Sequence, residues 1–370
     1  MNIVTETSPH IRKKSSVNKM MGNVLIALLP TVIFSFVIFQ LDALKNFGIS
    51  LGVILLAEFV FTGLKNMMPK DGKKHTFKEK FLYAYKGKIH LSSFLSGTVT
   101  ATIFALILPA SAQWYAVLSG ALIGEIFGKL FFGGLGNNIF NPACVGMIFS
   151  KVCFGSQYTY TPNWYINNEF VASGTPLYYL KGDFIFDTSH YSILELFLGK
   201  VPGTIGEVFK VTILLGLIWL LITKAADFRI ILSSTLTFSL LMAIVGATSK
   251  FVDNVGYFVL YQLLSGGFLF GVTFMLTDPV TSPINRPSRI LYGIIFAILT
   301  TIIRLYGATP EGVGFAILLS NIFVPLIEYP KWSSNKYTVK KILWMIGLIV
   351  LCSGLIILIS SLNNQARWSI

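Results

Sequence analysis

A short polar motif, Ser173-Gly174-Thr175-Pro176-Leu177, contains the hydroxyl group of this chain that is best placed for covalent chemistry. Its small neighbours leave Thr175 accessible to a modifying enzyme, and Pro176 restricts the backbone directly after it. Ser-Gly-Thr-Pro is also the composition of an ordinary turn, and the residues alone favour that interpretation. The position of the motif in the chain must therefore decide between a modified threonine and a turn.

A few ionisable side chains lie inside otherwise apolar stretches, namely Glu58, Glu125, Lys129, Arg304, Glu311 and Glu328. A charge at the centre of a bilayer costs at least roughly 2.5 kcal/mol, so such groups pair, line a wet cavity or lie near an interface. Glu125 and Lys129 can pair along one helix face, which favours a structural role. Arg304 and Glu311 are predicted to make a polar contact where the two halves of the chain meet. Glu125, Arg304 and Glu311 are also our candidates for an ion path.

Asp278 precedes Pro279 at the end of an apolar run, and Thr281 and Asn285 follow within one turn and loop. Such a group of polar residues is typical of a capped helix end, and it is equally compatible with part of a binding site. The residues leave both interpretations open.

The three cysteines, Cys144, Cys153 and Cys352, lie in apolar runs without C-x-x-C spacing. This pattern predicts buried thiols that pack in the core, and it gives no basis for a zinc site or a complete iron-sulfur site. The four histidines show no metal-binding spacing either, so we predict no metal site.

The elements that must position these residues are membrane-spanning helices. With 54% hydrophobic and 12% charged residues, the chain is too apolar for a soluble fold. Its formal charge of +13 lies mainly in short connectors between apolar runs, which indicates positive-inside anchoring and argues against nucleic-acid binding. The first apolar stretch has no A-x-A cleavage pattern before or after it and is predicted to be a retained span.

Apolar runs long enough to cross a bilayer occur near 22–40, 48–64, 91–109, 112–131, 138–155, 209–224, 230–246, 255–276, 290–306, 312–328 and 341–361. Every backbone polar group in lipid needs an internal partner, and these runs lack the alternation of barrel strands. The sequence therefore predicts an all-α polytopic membrane protein with 10–11 spans.

The placement of basic residues predicts the orientation of the chain. The N-terminal arm and the 65–90 connector are rich in lysine and belong in the cytoplasm, whereas the acidic 156–208 segment belongs outside. The predicted order is a cytoplasmic arm (1–21), a first repeat (22–155), an extracytoplasmic loop (156–208), a second repeat (209–328) and a basic connector with an extra helix (329–370).

A weak internal repeat supports this division. Leu95-Ser96-Gly97 and Leu108-Pro109 are echoed by Leu264-Ser265-Gly266 and Asp278-Pro279 at a spacing of about 170 residues. Five helices in each half make the two repeats inverted, and sites in such folds form where broken helices of the two halves meet. We expect the breaks at 133–142 and 307–314.

Three motifs in this order resemble one protein family: the Thr175 motif on an outer loop, Phe131 to Asn137 leading into Asn141-Pro142-Ala143, and Leu276 to Thr281. The chain resembles the RnfD/NqrB family, the membrane subunits of ion-translocating electron-transfer complexes. The resemblance covers roughly residues 20–330. The short outer loop and the Asp-Pro-Val-Thr segment look more like the RnfD branch.

The resemblance implies that flavin mononucleotide (FMN) is attached through a phosphoester bond to Thr175, next to Ser173 and Gly174. Gly174 stands where the family usually has alanine. The resemblance also implies a second, non-covalent flavin, riboflavin, near Asp278, Thr281 and Asn285.

In function, the resemblance implies a flavin-carrying subunit in a bacterial cell membrane that passes electrons from ferredoxin towards NAD and couples this to Na⁺ or H⁺ export. Partner subunits with flavin and iron-sulfur centres would complete the translocase, since this chain alone has no complete active site. The alternatives are an inverted-repeat transporter or channel in which the Thr175 loop is a connector, and a scaffold that has lost its flavin. Covalent flavin separates these alternatives.

Overall fold

The computed structural model describes residues 17–67, 91–155, 176–177, 188, 191–249, 252–307, 311–329 and 333–366. All regular secondary structure in these ranges is helical. The first half contains α1 (Val17–Asn66), α2 (Leu91–Ile107), α3 (Trp114–Gly128) and α4 (Pro142–Phe154). The second contains α5 (Ile193–Leu198), α6 (Lys210–Ile222), α7 (Phe228–Thr248), α8 (Val255–Leu264), α9 (Phe268–Phe270), α10 (Arg286–Tyr306), α11 (Val313–Ile327) and α12 (Val339–Ala366).

The long helix α1 consists of two arms that meet at Gln40. This residue has φ 47° and ψ −117°, which no helix interior allows. Met21 of the first arm lines a cavity beside Lys129, and Glu58 of the second arm pairs with the same lysine. The two arms are therefore antiparallel, and the break falls where the sequence predicts the first span to end.

Apolar helices dominate the described residues, which confirms the all-α membrane fold. Five helices are long and apolar enough to cross a membrane, or six if the bent pair α8 and α9 counts as one span. Four further apolar helices, α2, α4, α6 and α11, have 10–17 residues. The count of 10–11 spans and the domain boundaries stay predictions, because these shorter helices do not by themselves meet the length of a full crossing.

The predicted span 255–276 is not one continuous helix. Its two parts, Val255–Leu264 and Phe268–Met275, are bent by 62°. Gly266 has φ 63° at the break, and a Cβ there would lie 2.7 Å from Leu177 Cδ1 and 3.2 Å from Glu311 Oε1. Tertiary neighbours therefore require a glycine in a left-handed conformation. The matching Leu95-Ser96-Gly97 lies inside the unbroken α2.

The break predicted at 133–142 is present, because Gly133, Gly134 and Gly136 all have positive φ between α3 and α4. In the second half, α10 ends at Tyr306 and α11 begins at Val313, as predicted for 307–314.

Residues 191–208 are the last part of the predicted 156–208 loop, and they fold against the helices. They include α5 and pack into the helical bundle, where Leu196, Val201 and Ile205 are buried. The backbone amide of Ile205 donates to Leu108 O at 3.2 Å. Glu207, which the sequence assigned to the outer surface, is only 4% exposed. Apolar residues between the charges of this segment favour its burial.

Glycines allow α3 and α4 to approach closely. A Cβ on Gly124 would lie 2.7 Å from Pro142 O and 2.9 Å from Gly146 Cα. Gly120, Gly124 and Gly128 follow the small-xxx-small pattern of helix pairs in membranes. This packing fixes the rotation of α3 about its axis, and with it the direction of the Glu125 side chain.

Helix α12 packs against α7 and α10 at the edge of the bundle. Only 6% of its most apolar stretch is buried, so most of its surface would face lipid. This agrees with the prediction that the last helix lies outside the repeat.

Candidate functional site

Three charged side chains, Glu58, Glu125 and Lys129, form a buried group that we call the Lys129 cluster. Their side chains are 2%, 0% and 1% exposed, respectively. Lys129 Nζ lies 2.9 Å from Glu125 Oε1, which confirms the predicted pair, and it also pairs with Glu58 Oε1. Sequence spacing could not reveal the third member because Glu58 lies on α1. The only signal for it was its place among the few ionisable residues in apolar runs.

A first cavity, of about 50 Å³, adjoins the Lys129 cluster. The first half of the chain contributes polar lining residues such as Ser96, Thr100 and Asn138, and the second half contributes Thr277 and Asp278. The cavity therefore lies at the interface between the two halves.

Asn141 fixes the start of α4 at this interface. Its side-chain oxygen accepts hydrogen bonds from the backbone amides of Ala143 (3.1 Å) and Cys144 (3.3 Å), as an N-cap does. Its side-chain amide donates to Met275 O at 3.3 Å, across to the second half. One residue thus both caps a helix and ties the halves together.

The three residues predicted around a second flavin do not form one site. Asp278 lines the first cavity, and Thr281 Oγ1 donates to Asp278 Oδ2 at 3.0 Å. Asn285 instead donates from its side chain to Glu328 Oε2 at 2.9 Å, next to the start of α10. The cavity is also several times smaller than the roughly 300 Å³ of small-molecule sites. The riboflavin site therefore stays a prediction.

Arg304 lies at the centre of a second group of charged side chains, the Arg304 cluster, which also contains the buried Glu207 and Lys210 and the partly exposed Lys151 and Glu311. Arg304 donates from Nη1 to Gln262 O at 2.7 Å and from Nη2 to Ser265 O at 3.0 Å. These carbonyl groups belong to the end of α8 at the break. No further helical turn follows there to supply amide donors for them. The arginine therefore satisfies the helix end that the break exposes.

Glu311 joins the two halves of the chain. Its Oε1 accepts from the backbone amide of Gly267 at 2.6 Å, and its Oε2 lies 3.6 Å from Lys151 Nζ on α4. Glu311 therefore makes the predicted contact between the halves, through Lys151, whereas the hydrogen bonds of Arg304 go to Gln262 and Ser265 in its own half. Glu311 and Arg304 both lie within 4 Å of a Cβ built on Gly266, so they belong to the same group.

Sequence reasoning missed Glu207 and Lys210 as members of this cluster. Thr204 Oγ1 donates to Glu207, and Lys210 Nζ donates to Gly266 O at 2.9 Å. Lys210 is almost completely buried at the start of α6. A lysine at the edge of an apolar run was visible in the sequence, but such residues usually extend to the interface.

A second cavity of about 30 Å³ adjoins the Arg304 cluster and is lined by Lys151, Glu207 and Glu311. The π-helix Gly271–Met275, which continues α9, lies between the two cavities. Its Thr273 lines the first cavity, and its Met275 lines the second. π-Helical turns often occur at functional sites. The arrangement can hold polar groups or ions on both sides of a central apolar wall.

The sequence pattern of the NQR2, RnfD, RnfE family matches residues 4–335. The chain belongs to this family. A subunit of the Na⁺-translocating ferredoxin:NAD⁺ oxidoreductase complex of Acetobacterium woodii is 33% identical over 332 residues, which are 89% of this chain and 93% of that protein. A subunit of the ion-translocating oxidoreductase complex of Stutzerimonas stutzeri is 30% identical over 346 residues, 85% and 90% of the two chains.

The other branch of the NQR2, RnfD, RnfE family is covered less completely. A subunit of the Na⁺-translocating NADH-quinone reductase of Chromohalobacter salexigens is 33% identical over 235 residues. These are 62% of this chain, and the match spans 57% of that protein. The similarity to the Acetobacterium and Stutzerimonas proteins therefore extends over more of both chains, as the sequence motifs predicted.

Ser173, Gly174 and Thr175 lie outside the described residues, so the attachment motif of the family stays a prediction. Leu177, at the end of the same motif, is described and is 3% exposed. Its Cδ1 lies against Gly266, which is next to Glu311 and Arg304 of the Arg304 cluster. The C-terminal end of the motif is therefore anchored at this cluster.

The predicted packing of the cysteines holds only in part. Cys144 is buried and Cys352 is partly buried, but Cys153 is exposed. An apolar run can face lipid as well as the protein core, so its composition does not predict burial. The described residues contain no group of three or more His, Cys, Asp or Glu side chains that could hold a metal ion.

Proposed function

We propose that this chain is the flavin-carrying membrane subunit of a complex that moves electrons from ferredoxin to NAD and exports Na⁺ or H⁺. The observation that carries the proposal is the match to a subunit of such a complex from Acetobacterium woodii over about nine-tenths of both chains. The partners would be further membrane and peripheral subunits with flavin and iron-sulfur centres. Nucleotide and ferredoxin chemistry would then belong to those subunits.

In this proposal Thr175 carries FMN through a phosphoester bond, and the bound flavin supplies one-electron transfer. Two observations support the assignment to this region. The motif ends at Leu177, which is anchored beside Gly266. The nearby Arg304 cluster contains three basic side chains against two carboxylates, an excess of one positive charge that suits a phosphodiester.

The proposed topology places the N-terminal arm in the cytoplasm and the Thr175 segment outside the bacterial cell membrane. The basic 65–90 connector and the acidic 156–208 segment support this orientation. Riboflavin near Asp278 and the ion-path roles of Glu125, Arg304 and Glu311 stay predictions.

The test is flavin fluorescence of the denatured protein band after purification from the native host. We expect a fluorescent band from the wild type and a dark band from Thr175→Val, because valine has no oxygen for the phosphoester. Thr188→Val, a matched change in the same connecting segment, should leave the band fluorescent. A dark wild-type band would reject the flavin carrier and favour the inverted-repeat transporter.

A further inference from the structure

The charges in the Lys129 cluster do not balance. Two carboxyl groups and one amine are buried together inside the bundle, away from solvent. If all three ionise, the cluster holds one uncompensated negative charge. Burying such a charge costs several kcal/mol after relaxation, whereas a neutralised group avoids most of this cost. The composition of the cluster therefore requires one more positive charge.

The geometry indicates where this charge belongs. Lys129 contacts one oxygen of each carboxyl group, and Glu125 Oε2 is buried without a hydrogen-bond partner among the described residues. Because one amine contacts both carboxyl groups, the two carboxyl groups lie close together. A carboxylate can only accept a hydrogen bond, so a bond between two carboxyl groups needs a proton on one of them.

Other charged groups near the cluster do not supply the missing charge. Lys65, further along α1, donates to Gly133 O and is exposed. Asp278 lies across the first cavity, where its carboxyl group accepts from Thr281, and an acidic side chain cannot supply positive charge. Lys129 is thus the one basic side chain that contacts the two glutamates in the described part of the chain.

We propose that Glu58 and Glu125 share one proton, which makes the Lys129 cluster a proton-binding site. One carboxylate takes a proton from water in the first cavity, which Lys129 lines, and becomes a carboxylic acid. No electron moves in this step, and release returns the same proton to water. The site lies at the interface between the two halves, and its occupancy does not depend on a flavin.

Infrared spectroscopy of the full-length protein in lipid nanodiscs tests the proposal through the C=O stretch of protonated carboxyl groups. At neutral pH the wild type should show this band. Glu125→Gln and Glu58→Gln should each lose the contribution of one protonated carboxyl, because the remaining glutamate forms a neutral pair with Lys129. Lys129→Met should keep or increase the band, since both carboxyl groups then need protons.

Three controls separate the outcomes. Glu195→Gln, at an exposed helix start, should leave the band unchanged, and Asp278→Asn measures any contribution from across the cavity. Both glutamine variants are nearly isosteric and act independently, so folding of either one suffices for the comparison. If a folded glutamine variant has the same band as the wild type, both glutamates are ionised and the proposal is wrong.

Discussion

Removing the Arg304 guanidinium should destabilise the bundle, because this group satisfies the end of a broken helix. Its two short hydrogen bonds reach the carbonyl oxygens of Gln262 and Ser265, at 2.7 Å and 3.0 Å. The guanidinium also lies over the rings of Phe238 and Phe268, at 5.1 Å and 5.8 Å from their centroids. In Arg304→Met both carbonyl groups stay buried and lose their charged donor.

The size of the effect follows from these contacts. Hydrogen bonds to charged groups contribute about 1.5–3 kcal/mol each, so two of them predict a loss of at least about 3 kcal/mol. For a protein of this size such a loss lowers Tm by several degrees, on the order of 5 °C. Arg304→Lys keeps the charge but cannot reach both carbonyl groups with a planar fork, so its loss should be smaller.

The assay is thermal unfolding of the purified protein in one detergent and at one scan rate, because membrane proteins often unfold irreversibly. Lys200→Met removes an exposed positive charge and should shift Tm by less than about 1 °C, since surface changes are usually small. If Arg304→Met melts with the wild type, the carbonyl groups find other partners and the reasoning about the helix break is wrong. If Arg304→Met and Lys200→Met lower Tm by the same amount, the effect is a general one of removing positive charge.

Two further predictions concern helix packing and pH. Gly124→Leu should reduce the folded, monodisperse fraction in size-exclusion chromatography. A side chain there overlaps Pro142, and overpacking costs about 1–3 kcal/mol or more. Gly22→Leu is the control, because a Cβ there meets no atom within 4 Å. The backbone amide of Ser192, followed by its hydroxyl, lowers the pKa of Glu195 at the start of α5. A lowered pKa means that this contact stabilises α5 above the ordinary glutamate pKa and is lost as pH falls through the lowered value. Hydrogen exchange of the α5 amides, corrected for intrinsic rates, should show less protection in the wild type as pH falls. Glu195→Gln should show protection that does not change with pH. The same constant protection in the wild type would contradict the prediction.

Features that depend on neighbouring residues in the chain could be predicted from the sequence. The pairing of Glu125 with Lys129 follows from one turn of helix, and the positive-φ turn around Gly133 follows from its glycines. The apolar runs indicated the helical class because only helices satisfy their own backbone in lipid.

Features that depend on distant contacts could not be predicted. The bend requires a glycine at position 266, because Leu177 and Glu311 occupy the space of a side chain there, and neither neighbour is visible from local sequence. The burial of Glu207 depends on Thr204 and on the packing of residues 191–208 against α2. The charges of this segment suggested an outer loop. Composition does not reveal which polar residues find buried partners.

The π-helix between the two cavities also sets the rotational phase of the residues after it. Leu276 N donates to Gly271 O at 2.8 Å, so this turn contains one residue more than an α-helical turn. Each residue of an α-helix advances the side-chain direction by about 100°. Without the additional residue, the residues that follow, Asp278 among them, would be rotated by about 100° about the helix axis. The length of this turn therefore determines the direction from which Asp278 meets the first cavity.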